Sequence, residues 1–141
     1  MLRVLTCMVM SVTSVVAAPD DIETLRVIGS PSNTQQVLSK NALRAIFGMR
    51  LRSWPNGEPI QVFVLRDNHP VHIAFCKRIL NIYPHQLRLA WDRQVYSGTG
   101  QAPREVASEE EMRLSVATTP GAIGYLQRVM VNDSVDVLPI Q

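Results

Sequence analysis

Within residues 66 to 76, "RDNHPVHIAFC" supplies an arginine, an acid, an amide, two histidines and a thiol. Three chemistries fit these types and spacings. Arg66 with the start of a helix at Pro70 makes an oxyanion site. A guanidinium fork meets two oxyanion atoms, and unpaired helix-opening N–H groups add donors and partial positive charge. His69, His72 and Cys76 fall at i, i+3 and i+7, one helical face, and imidazole with thiolate suits zinc or copper. In the third reading the stretch is only a capped helix start, with Asn68 or His69 as the cap and Arg66 paired to an acid. The anion reading names Arg66, Asp67, Asn68, His69 and Val71 as ligand-binding residues. No metal site, cofactor or catalytic residue is assigned: the three ligands fall within eight residues with no acidic groups to back them, and Cys76 serves equally as a small buried apolar residue.

Enzymatic alternatives find no support in the sequence. There is no Gly-x-Ser-x-Gly elbow, and Cys76 falls mid-helix, away from an activating N-terminus. "GTGQ" at 98–101 is a lone glycine-rich loop with no Lys-Ser/Thr after it. The chain is therefore read as a non-enzyme.

Elements that place the turn alternate in type. "LRVI" at 25–28 is a short apolar strand running into the polar loop "GSPSNTQQV". Ser39 caps a helix with Ala42, Leu43, Ile46 and Phe47 on its buried face, Leu38 stapling Leu43, and Gly48 as its left-handed end. "WPNGEP" is a turn and "IQVFVL" at 60–65 a buried strand. Pro70 opens a helix whose Val71, Phe75, Ile79 and Ile82 recur at helical spacing. Pro84 opens another, with Leu87, Trp91 and Val95 on one face. After "SGTGQAP", Ser108 and Glu111 form a capping box, "TTPG" ends that helix, and "AIGYL" and "VDVL" are strands. Strands alternating with helices give an α/β class with a mixed sheet flanked by helices.

A length of 141 residues allows a single domain. Residues 1–18, "MLRVLTCMVMSVTSVVAA", pair Arg3 with an apolar run and end on small residues, the layout of a signal peptide. Cleavage near Ala17 or Ala18 leaves a mature domain at 19–141 that is not membrane-spanning and is periplasmic. Cys7 leaves with the leader, so Cys76 has no partner for an intramolecular disulfide. The mature chain is nearly neutral, with thirteen basic and twelve acidic residues, so no field favours nucleic acid. Lys40, Arg44, Arg50 and Arg52 gather around the first helix as a solvated face or a docking patch. His85 reads as a surface residue, and Trp54 and Trp91 as core.

Together "LSKNALRAIFGMRLRSWPNGEPIQVFVLR", "WDRQVYSGTGQAP" and "EVASEEEMRLSVATTPGAIGYL" resemble the phosphate-binding periplasmic proteins of ABC transporters. There a helix ending in Ile-Phe-x-Gly precedes Trp-x-x-Gly, an Ile-rich strand and an Arg, and Pro-Gly-Ala-Ile-Gly-Tyr comes later. The resemblance runs collinearly over about residues 26–126. It implies one lobe of a periplasmic-binding-protein-like fold, as in short single-lobe members, and a solute-binding function toward phosphate or a similar oxyanion. Where that family has Arg-x-Asp-Gly-Ser-Gly-Thr, this chain has Arg66-Asp67-Asn68-His69-Pro70-Val71. The Arg and acid remain, the hydroxyls do not, and weak binding follows. The alternative is a non-transport module that lends the fold to an envelope sensor or complex, with an envelope protein as partner.

Overall fold

The computed structural model describes residues 25–33 and 37–141; the signal-peptide expectation for residues 1–18 lies outside them. Five strands form one mixed sheet in the order β3-β2-β4-β1-β5. These are β1 (Leu25–Gly29), β2 (Gln61–Leu65), β3 (Arg104–Val106), β4 (Ala122–Gln127) and β5 (Asp136–Val137). β2 lies parallel to both β3 and β4, while β1 is antiparallel to β4 and β5. From β2 the chain crosses one way to β3, then back over β2 to β4. Right-handed crossovers in opposite directions put the connecting helices on opposite faces. Accordingly α2 (Pro70–Ala74) and α3 (Pro84–Tyr96) share one face with α1 (Lys40–Phe47), and α4 (Glu109–Thr118) takes the other.

β4 shows why both faces close. Its residues are buried from Ala122 to Leu126, and they alternate between two layers. Tyr125 stacks on Phe75, with ring centroids 3.9 Å apart, and tilts against Phe47. Gly124 faces the other way, where a Cβ would come within 3.1 Å of Val116 and closer still to Met112. A glycine there lets α4 approach the sheet. Trp54 and Trp91 are buried as expected, each anchored by its indole N–H: Trp54 to Gly121 O at 3.0 Å, Trp91 to Phe47 O at 2.7 Å.

Ser39 caps α1 by accepting from Ala42 N at 3.0 Å. Four expectations are corrected. Gly48 does not take the left-handed conformation; its φ is −78°, and Met49 takes it instead at φ 61°. Glycine is favoured at 48 because a Cβ would press on the Arg44 carbonyl at 2.8 Å. Val95 is 47% exposed, since only Leu87 and Trp91 of its face reach the core. Glu111 does not close a strict capping box: Ser108 accepts from Glu111 N, but the Glu111 carboxylate reaches one residue further back, to Ala107 N. The helix opened by Pro70 also widens into a π segment over Phe75–Leu80, closed by Asn81 at φ 56°. That widening shifts the register of its apolar stripe, so Ile79 and Ile82 end only half-buried.

Candidate functional site

The carboxyl end of a central parallel strand, flanked by crossovers running in opposite directions, is where open α/β sheets place their ligand sites. β2 ends there at Leu65. The chain turns through Asp67 and Asn68, closed by His69 N donating to Arg66 O at 2.9 Å, and enters α2 at Pro70. His69 is the N-cap, its Nδ1 accepting from Val71 N at 3.1 Å. The turn's backbone is thus spoken for twice: Pro70 carries no N–H, and that of Val71 goes to His69.

Two arginines and two acids surround the turn. Asp67 binds Arg88 of α3 through two parallel bonds of 2.9 Å. Arg88 also reaches Glu105 of β3 at 3.4 Å and stacks over Trp91. The hydrogen bonds it donates to Asp67 raise the pKa of Arg88 above its ordinary value. Arg66 differs: its side chain is 65% exposed, and its contact is Glu105 at 3.7 Å. Asn68 is exposed, while the Val71 side chain is buried.

Beneath the turn lies a buried polar chain. Tyr125 OH accepts from Leu65 N at 2.8 Å and bonds His72 Nδ1; His72 Nε2 faces Cys76 Sγ at 3.4 Å and Asp67 Oδ1 at 3.9 Å. One proton assignment satisfies every group. The phenol donates to Nδ1, so Nε2 carries the ring proton toward sulfur and carboxylate. Burial pushes the His72 pKa down to about 4, against the opposing pull of Asp67 and with help from Arg88 and His69. Burial, then Asp67, pushes the Cys76 thiol up to about 12, and burial lifts Tyr125 well above its usual range. At neutral pH all three are uncharged. A neutral imidazole flanked by a protonated thiol and phenol is no nucleophile and no general-base pair; it ties β2, β4 and α2 together under the turn.

His69, His72 and Cys76 do not converge. His69 turns to its own helix start while the other two point inward, and among the described residues no three His, Cys, Asp or Glu side chains are grouped to hold a metal ion. Since the thiol is buried and protonated, a maleimide reagent should modify Cys76 at least a hundredfold more slowly in native protein than in urea. Comparable rates in both would contradict its burial.

Arg66, Asp67, Asn68 and His69 were legible as a cluster; Arg88, Glu105 and Tyr125 were not singled out. Tyr125 had a signal. A phenol inside an otherwise apolar, fully buried strand needs a hydrogen-bond partner. The pairing of Asp67 with a residue 21 positions on had none.

The mixed α/β sheet flanked by helices is a fold shared with periplasmic-binding-protein-like phosphate-binding proteins. Solved structures with that fold include an ABC-type phosphate transport receptor from Vibrio cholerae, 14% identical with a TM-score of 0.65. A putative phosphate ABC transporter substrate-binding protein with bound phosphate from Clostridium perfringens is 18% identical with a TM-score of 0.66. PstS from Borrelia burgdorferi is 17% identical with a TM-score of 0.63. Each match covers 83% of this chain, and respectively 46%, 44% and 47% of the other, so the chain spans less than half the length of these relatives. At such identities the likeness establishes the fold. No protein-family model and no curated protein matches the chain. No helix among the described residues is long and apolar enough to cross a membrane.

Proposed function

We propose that this chain is a non-enzymatic, periplasmic solute-binding-like protein that takes phosphate or a similar oxyanion weakly at the turn after β2. The observation that carries the reading is Arg66. It stands largely exposed at the carboxyl end of the central strand, and its one ion pair among the described residues is a loose 3.7 Å contact to Glu105. Such a surface pair is worth about 0–1 kcal/mol, so an anion displaces Glu105 at little cost. Asn68 and His69 follow Arg66 in the same turn and add polar side chains to it. The shared fold supports the reading, since the Vibrio cholerae protein is a phosphate transport receptor and the Clostridium perfringens protein holds bound phosphate. Weakness follows from three features of the turn. Glu105 competes for Arg66, Pro70 has no donor, and the Val71 N–H is already given to His69. With no hydroxyl in the turn, discrimination between phosphate and sulfate is poor. Export, with residues 1–18 removed, belongs to the same proposal.

Titration calorimetry with phosphate tests it. Arg66→Ala should weaken binding by about 1.5–3 kcal/mol, the range for a hydrogen bond to a charged group, while the melting temperature changes little. Equal affinity in both proteins would remove Arg66 from the site. The second reading, an envelope interaction module with a protein partner, is favoured by one fact: each arginine at the turn already faces an acid. No heat from wild type at millimolar phosphate would move that reading to first place.

A further inference from the structure

A groove of about 360 Å³ runs between the end of α1 and α3, and none of residues 66–72 lines it. Its walls carry Arg44, Arg50 and Gln94, and its floor is apolar: Ile82, Leu87 and Ala90. No Asp or Glu lines it.

Two arginines beside a helix C-terminus have an ordinary explanation, compensation of the carbonyls left open there. Here that work is done by other groups. Arg44 O accepts from Gly48 N at 2.8 Å, and Ala45 O from Arg50 N and Leu51 N at 2.9 and 3.0 Å. Met49 N takes Ile46 O at 3.0 Å. The Trp91 indole takes Phe47 O, and the Gln94 amide takes Gly48 O at 2.6 Å. The end of α1 is thus closed by backbone and neutral side-chain donors. That end of α1 does not need either guanidinium: Arg44 Nε instead closes the last carbonyl of the neighbouring π segment, Leu80 O, and Arg50 is left over.

Arg44 is held in place by its Nε bond to Leu80 O at 2.7 Å and an Nη bond to Asn41 at 3.2 Å. A guanidinium has five N–H donors, so three remain on Arg44. Arg50 is exposed, and its guanidinium makes no hydrogen bond or ion pair among the described residues. An already anchored arginine loses little freedom on binding, and a second, unengaged one supplies charge.

We propose that this groove binds a small carboxylate with an apolar body, its carboxylate between Arg44 and Arg50 and its hydrocarbon part on Ile82, Leu87 and Ala90. A planar guanidinium fork matches a carboxylate in two bonds, and the floor rewards a hydrophobic tail that inorganic anions lack. The volume suits a ligand the size of a single substituted ring.

Benzoate, acetate and inorganic sulfate serve as probes, each titrated into the ¹⁵N-labelled protein and followed by backbone amide and arginine Nε–H shifts. Benzoate should shift Leu87, Ala90 and Gln94 amides and the Arg50 Nε–H along one saturable curve. Acetate should bind at least tenfold more weakly, for want of a tail on the floor. Arg50→Ala should weaken benzoate about tenfold, the loss of one charged contact, and leave the fold intact because that guanidinium supports nothing else. Arg128→Ala, which removes an exposed arginine that does not line the groove, should leave benzoate binding unchanged. Benzoate shifts that fail to saturate, that fall at 66–72, or that survive Arg50→Ala would overturn the assignment. Equal affinity for benzoate and acetate would overturn the apolar half of it.

Discussion

Tyr125→Phe should destabilise the protein by about 2–4 kcal/mol although it removes a single oxygen. The Phe ring keeps the stack on Phe75 and the contact with Phe47, so the transfer and packing contributions barely change. What disappears is the partner of two buried groups: Leu65 N–H, which loses its acceptor, and His72 Nδ1, which loses its donor. Each orphaned buried polar group costs about 1–3 kcal/mol, and Leu65, His72 and Tyr125 are all fully buried. Urea denaturation of both proteins at pH 7 gives the difference directly. A loss under about 0.5 kcal/mol would mean that the phenol does not carry this pair of bonds.

Acid should expose His72 in the same way. Its folded pKa of about 4 lies below the unfolded value of 6.5. Between those values the unfolded chain binds a proton that the folded chain refuses, so stability falls as pH drops from 6.5 toward 4 and levels off below. A separation of this size corresponds to about 3 kcal/mol at roughly 1.4 kcal/mol per unit. Carboxylates also titrate in that window, so the decisive quantity is a difference. Wild type should lose stability more steeply than His72→Gln between pH 6.5 and 4, even though the variant starts lower at pH 7. Parallel curves would contradict a neutral, buried His72.

Both expectations rest on residues the sequence left in plain view but unassigned. Periodicity and turn chemistry locate elements well where one face is buried and the ends carry strong local signals. Ser39, Pro70, Pro84 and Ser108 each open the helix their type announces. Local rules fail where the deciding contact is distant. Gly48 reads as a left-handed helix end, but the approach of its Cβ position to the Arg44 carbonyl makes glycine useful there, and Met49 turns the chain instead. The apolar stripe from Val71 to Ile82 assumes a regular helix, and a π segment breaks its phase. At the candidate site, Arg66 to His69 are contiguous and so stand out. Their partners come from α3, β3 and β4, and chain separation hides them: Arg88 on Asp67, Glu105 on Arg66, Tyr125 on His72. A sequence shows which groups need partners. Which partners arrive is a property of the crossovers.

The central claim is that the turn after β2 holds an oxyanion through Arg66, and a phosphate titration watched residue by residue tests it most directly. In a ¹H–¹⁵N spectrum, added phosphate should move the Arg66 Nε–H and the Asn68 and His69 amides together, along one saturable curve in the millimolar range. Sulfate should reproduce the pattern with similar strength. Contradiction would take the form of an unmoved Arg66 Nε–H at saturating phosphate, or of shifts scattered over the surface arginines and rising linearly with concentration.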